Sequence, residues 1–280
     1  MRYQNTLILK KAFLTLVIAL LSIIMLFPLA WMLSASLKLP TKVFTSPIEW
    51  IPKNPQWSNF SFVWSSGEVP FSRNFLNSII VTVISLFGTL IVCSMAAYAF
   101  SKISFKGNTV VFLLYLATMM IPSQVTLVPR FMIMRWLHLS DTLMALIIPS
   151  VFNIVAMFTL RQSFNSIPND ILESVWIDGA GHLRTFTSIV LPMSGPALIS
   201  AGILAFVRSW NDYMNPLIFI NSERKFTATL AIKNYLNVDG QPRYDLAMTA
   251  SIISLIPIIV LFTLVQKYYF QGIATTGMKE

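Results

Sequence analysis

Glu173-Ser174-Val175-Trp176-Ile177-Asp178-Gly179-Ala180, followed by Leu191-Pro192 and Pro196, joins two long apolar stretches, 142–160 and 195–220. Upstream, Ser166-Ile167-Pro168-Asn169-Asp170 reads as a helix start, with a Ser cap, an early Pro and an acidic first turn. Ile171, Leu172, Val175 and Trp176 then recur at helical spacing, and Gly179 supplies a left-handed stop. A second short helix over about 182–190 ends at Leu191-Pro192. This helix-turn-helix is costly to keep between two spans unless its apolar stripe has a surface to bury it. That surface is a second protein, lipid headgroups or the chain's own bundle, and the stripe alone does not choose.

The flanking composition is that of a membrane protein. The chain has 280 residues, 55% hydrophobic and 11% charged, against roughly a quarter charged in soluble domains. Charge-free runs cover 12–37, 74–101, 107–129, 142–160, 185–207 and 246–266. Each suffices for the roughly 17–25 residues that cross a bilayer. Backbone groups in lipid must bond within their own segment, so the runs are expected to be helices. The expected fold is all-α, a polytopic bundle of six spans at about 12–34, 75–100, 109–129, 142–160, 195–220 and 246–266. The first run exceeds the roughly 7–15 residues of a signal-peptide core and reads as a retained span. The expected organisation is an inner tail, first span and outer loop over 1–70, a five-helix core over 71–266 containing the loop 165–193, and a tail over 267–280.

The charge surplus of +9 fits a membrane surface and topology, not nucleic acid. Lys10-Lys11 abut the first span and favour an N-terminus on the cytoplasmic side; an even number of spans puts the C-terminus there too. Outer loop 38–73 carries Trp50, Trp57 and Trp64, and outer loop 221–245 holds the turn Asp239-Gly240-Gln241-Pro242. The lone Cys93 lies in a span and gives neither disulfide nor metal cluster.

Arg208 falls within the fifth apolar stretch, where a charge costs about 2.5–3.5 kcal/mol and faces a partner or a wet cavity. Asp212, four residues on, is placed to pair with it along one helix face. Asn211, Trp210 and Tyr213 add amide and aromatic surface suited to a sugar ring. Two readings stand side by side: a structural ion pair that locks helices, and a pathway lining. Ala197, Ala201, Ala205 and Ser209 form a small-residue stripe for close helix packing. Ser78, Thr82, Ser85 and Thr89 form a hydroxyl stripe, for interhelical bonding or cavity lining. No phosphate loop, metal-ligand spacing around His138 or His182, or nucleophile elbow is present, so the chain is not read as an enzyme.

The spacing of Glu173, Asp178-Gly179-Ala180, Leu191-Pro192 and Pro196 resembles the coupling loop of permease subunits of ABC importers, with Ser174 and Val175 where alanines are usual. Pro47 to Pro52, Asn59-Phe60, Asn77-Ser78, Trp210-Asn211-Asp212 and the ending Tyr269 to Lys279 are similar to the six-span subunit of maltose-type carbohydrate importers. The resemblance implies a permease that carries a sugar or oligosaccharide, in a bacterial cytoplasmic membrane. It implies a second permease, an ATPase dimer that binds the ATP, an extracytoplasmic solute-binding protein, and no cofactor in this chain. It also implies ATPase coupling through Glu173, Asp178, Gly179, Ala180, Leu191 and Pro192. A different solute such as a glycerol phosphate, and an ATP-independent secondary transporter, are the alternatives.

Overall fold

A computed structural model describes residues 2–236 and 241–276, with side chains placed over 10–236 and 241–266. The Asp239-Gly240 turn and the Gly277-Met278-Lys279 ending lie outside the described residues, as do the side chains of Tyr269, Phe270 and Gln271. The helices run in order α1 (Arg2–Ser36), α2 (Ser58–Ser65), α3 (Phe71–Lys102), α4 (Asn108–Ala117), α5 (Leu127–Trp136), α6 (Met144–Val151) and α7 (Ile154–Asn165). They continue with α8 (Asn169–Ile177), α9 (His182–Thr185), α10 (Leu191–Met193), α11 (Gly195–Trp210), α12 (Met214–Phe219), α13 (Ala228–Ala231) and α14 (Tyr244–Thr276). A π-helical turn, Phe186–Val190, joins α9 to α10.

The expected all-helical membrane fold is present, but the spans are less regular than six uniform rods. Among the described residues, Lys10–Ser36, Phe71–Lys102, Met144–Asn165 and Tyr244–Gln266 are long and apolar enough to cross a bilayer. His182–Met193 with Gly195–Trp210 makes a fifth if that pair, bent by 82°, is one span. The expected third span, 109–129, is helical only over Asn108–Met120 before breaking. Pro122 is the cause: it lacks an N–H and drives Ile121 to an extended φ −83°, ψ 114°. The fourth stretch parts at Phe152-Asn153, where the Asn153 side chain caps α7 by accepting from the Ala156 N–H at 3.1 Å. The fifth parts between Trp210 and Met214. There, Pro216 cannot bond back to the carbonyl of residue 212.

The chain divides into two compact units. One comprises residues 1–72 and 232–255. Within it Asn59 donates from Nδ2 to the carbonyls of Ser36 (2.8 Å) and Lys38 (3.2 Å), pinning the loop 38–73 to the end of α1. Trp50 packs on Phe27 and Trp31 at ring distances of 4.9 and 5.9 Å.

The second unit, residues 73–231 and 256–280, holds the loop 165–193 and the fifth apolar stretch. Its core gathers Cys93, Tyr98, Phe112, Met157, Leu160, Phe164, Leu172, Phe186, Val190 and Ala201 from α3, α4, α7, α8, α11 and the π turn. The small-residue stripe does pack inward: Ala201 and Ala205 are buried. Gly88 of α3 sits so close to α6 that an added Cβ would lie 2.8 Å from Val151 Cγ2. The hydroxyl stripe bonds between helices. Ser85 accepts from Ser150 Oγ at 2.6 Å, and Thr89 donates to the Ser150 carbonyl at 3.2 Å.

Candidate functional site

Helix α8 ends in a Schellman motif. The Ala180 N–H donates to the Val175 carbonyl (3.1 Å) and the Gly179 N–H to the Trp176 carbonyl (3.0 Å). Gly179 takes φ +82° with open space where a Cβ would stand, so glycine is favoured there by backbone conformation and not by lack of room. The helix start differs from the sequence expectation. Ser166 closes α7, donating from Oγ to the Ser163 carbonyl at 2.7 Å, and Pro168 stands before α8. The apolar stripe turns mostly inward: Leu172 is fully buried and Trp176 packs against the chain's own core, while Ile171 stays partly exposed; Ile177 and Leu183, which lie outside that stripe, are 86% and 72% exposed.

The loop is tied to the end of α3. Lys102 Nζ donates to the Ile167 carbonyl (2.7 Å) and to Asn169 Oδ1 (3.0 Å). Tyr98 OH lies 3.4 Å from His182 Nδ1, and Trp176 Nε1 donates to Thr185 Oγ1 at 3.1 Å. Glu173 lines a groove with Lys102, Asn169 and Trp176. Leu191 and Pro192 continue the helix rather than end it. The π turn before them widens the ring where Pro192 has no N–H to give, and the 82° bend falls at Ser194, past Met193.

In the fifth span, Arg208 and Asp212 make no ion pair; among the described residues Arg208 makes no hydrogen bond either. The expected pairing at i, i+4 fails because α11 stops at Trp210, so Asp212 leaves the helical face. Its carboxylate instead accepts from the Asn215 N–H (3.2 Å) and Nδ2 (2.6 Å), opening α12. Arg208 and Asp212 nonetheless line one cleft, with Arg130, Ser85, Thr89, Asn153, Asn215 and Thr227. It offers about 40 Å³ to water centres, room for a few waters and too narrow for a hexose. The other pathway candidates lie elsewhere. Trp210 is buried against Phe75 and Phe206 at ring distances of 5.5 and 5.9 Å, and Asn211 donates back to the Val207 carbonyl at 3.0 Å. Tyr213 is partly exposed outside the cleft.

Sequence reading missed the clamp on segment 221–228. Asp141, at φ 57°, accepts from the N–H groups of Asn221 (3.0 Å) and Ser222 (2.9 Å), from Ser222 Oγ (2.7 Å) and from Lys225 Nζ (2.8 Å). Desolvation pushes this carboxyl upward, but the Lys225 and Ser222 side chains and the two N–H groups outweigh it and hold it well below the usual carboxylate range. Asn74 donates to the carbonyls of Glu223 and Phe226, Asn77 to those of Arg224 and Phe226, and Ser78 Oγ accepts from the Ala228 N–H. Asp141 carried one visible signal, an acidic residue alone in a short outer segment.

Known proteins resemble this chain over most of its length. The chain is 32% identical over 268 residues to the arabinooligosaccharides transport system permease protein AraQ of Bacillus subtilis, covering 95% of each. It is 31% identical over 256 residues to the sn-glycerol-3-phosphate transport system permease protein UgpE of Yersinia pestis, covering 90% of this chain and 91% of the relative. The fold matches a crystal structure of a bacterial ABC transporter involved in the import of the acidic polysaccharide alginate. That match has a TM-score of 0.82 at 24% identity, over 91% of this chain and 94% of that one. Residues 88–275 match the family model of the binding-protein-dependent transport system inner membrane component, and the chain belongs to that family of multi-pass membrane permeases.

Proposed function

We propose that this chain is one of two permease subunits of an ATP-driven importer, and that it forms part of the path for a sugar or oligosaccharide. The observation that carries the coupling role is the exposed apolar tip of the inner loop. Ile177 and Leu183 flank a rigid Schellman stop, and nothing among the described residues covers them. Two large aliphatic side chains on a stiff, solvent-facing elbow fit insertion into a cleft of a partner protein. Glu173, Asp178, Gly179, Ala180, Leu191 and Pro192 shape that elbow. The partner is an ABC ATPase dimer that binds and hydrolyses the ATP, so this chain needs no cofactor of its own. A second permease and an extracytoplasmic solute-binding protein complete the machine.

The loop then lies on the cytoplasmic side of a bacterial cell membrane, with both termini there. Residues 1–70 comprise an inner tail, first span and outer loop, 71–266 the five-helix transport core, and 267–280 the tail. The likeness to the AraQ proteins supports an oligosaccharide solute. The likeness to UgpE supports a second reading, the same machine loaded with a glycerol phosphate. The test is a cysteine at 177 or 183, cross-linked in membranes that contain the ATPase. Cross-links to the ATPase that change in yield with ATP support the proposal. Labelling of both positions by a water-soluble thiol reagent, unchanged by the ATPase, refutes it.

A further inference from the structure

We infer that the cleft beside the α11–α12 break is a solute subsite built for an anion that also carries hydroxyls, a carboxylated or phosphorylated sugar or polyol. The inference deepens the importer reading and rests on it. Arg130 and Arg208, two permanently charged residues, line the cleft together with one carboxylate, Asp212. That carboxylate is already engaged by Asn215, and Arg208 makes no ion pair or hydrogen bond among the described residues. Arg130 spends part of its guanidinium on the Ser123 and Thr126 carbonyls, at 3.3 and 3.4 Å, and meets no carboxylate within ion-pair distance. An unpaired arginine in an apolar span demands an anion or a wet cavity, and guanidinium forks match carboxylate and phosphate geometry.

The second observation is independent of charge. Asn215 Oδ1 and Thr227 Oγ1 are both buried in the cleft wall without a hydrogen-bond partner, and Thr227 is 4% exposed. A buried polar atom left unmade costs about 1–3 kcal/mol. Groups of this kind persist where something else supplies the partner. An amide oxygen and a hydroxyl beside two arginines accept from ligand hydroxyls while the arginines hold the acid. In its present shape the cleft admits only a few waters, so a ligand enters when the helices around the break separate.

The test uses the whole complex (this chain, partner permease, ATPase and binding protein) in proteoliposomes with ATP at the ATPase face. Trigalacturonate and glycerol 3-phosphate serve as carboxylate and phosphate probes, with arabinotriose as the neutral comparison. One of the two acids is expected to enter at least tenfold faster than arabinotriose, and which one identifies the acid group. Arg208→Gln should cut that uptake at least tenfold at unchanged complex yield. Arg208→Lys should keep part of it, and Arg130→Gln should lower it as well. Import of arabinotriose alone overturns the inference. So does unchanged acid uptake by both glutamine variants, or loss of the partner permease from Arg208→Gln, which would make that charge an inter-subunit contact. Acid-selective entry that continues with the ATPase disabled overturns the importer reading and supports the anion subsite.

Discussion

Replacing Gly179 separates coupling from folding. At φ +82° an L-residue pays about 1–2 kcal/mol, and a β-branched residue stands at the upper end because its backbone resists that region most. The built Cβ meets nothing within 4 Å, so no clash adds to this. Relief comes by opening the two Schellman bonds at Ala180 and Gly179, each worth roughly 1 kcal/mol net. About 2 kcal/mol against the closed turn is a shift of roughly thirtyfold in its population, while whole domains hold about 5–15 kcal/mol. Gly179→Val should therefore insert and fold, yet display Ile177 and Leu183 at the wrong angle. ATPase recovered with the tagged complex, and ATP hydrolysis stimulated by binding protein, should both fall at least tenfold. Gly179→Asn should retain most of each, because Asn tolerates the left-handed region. Full recovery and hydrolysis in the valine variant would refute the argument, and equal loss in both variants would show that the backbone angle is not what matters.

Gly88→Ala should lower thermal stability by about 1–3 kcal/mol through its contact with Val151, and Gly88→Ala/Val151→Ala should recover most of it in a melting assay. Arg208→Ala and Asp212→Ala should couple by clearly less than the roughly 3–5 kcal/mol of a broken buried pair, because no contact ion pair joins them; coupling of that size in a double-mutant cycle would contradict the geometry. Asp141 titrates below its ordinary value, so its contribution is complete above about pH 4 and is lost as pH falls through the lowered value. Amide exchange at 221–226 should then be pH-independent between pH 5 and 8 after correction for intrinsic rates, and Asp141→Asn should raise it at every pH. The purified chain alone should bind no nucleotide; saturable ATP binding would overturn that expectation.

The helical membrane fold was legible because long charge-free runs have few other solutions in lipid. The loop was legible because its stop rests on one glycine angle, and Gly179 does adopt it. What sequence concealed was where spans break. Pro122 and Pro216 announce a disturbance, but Asn153 breaks a span only because its side chain turns back to cap α7. The Arg208–Asp212 pairing assumed an unbroken helix, and the break at Trp210 removed its premise. Spacing puts Leu172 and Trp176 on one face of α8 but does not say that the chain's own core, with residues from α3 and the π turn, already covers that face. Lys102 and Asp141 bridge 65 and 84 residues of sequence to Ile167 and Lys225, and no local pattern encodes such partners.

The 82° bend at Ser194 has a mechanical consequence. Helix α11 has 16 residues, an arm about 24 Å long at 1.5 Å per residue. Its near end leaves the elbow and its far end carries Arg208 into the cleft wall. A tilt of about 10° about that pivot sweeps the far end by roughly 4 Å, more than the diameter of a water molecule. The same push along a straight span would only slide it along its own axis. With this bend, a pull on the loop 165–193 would work as on a bell crank and become a sideways stroke at the cleft wall.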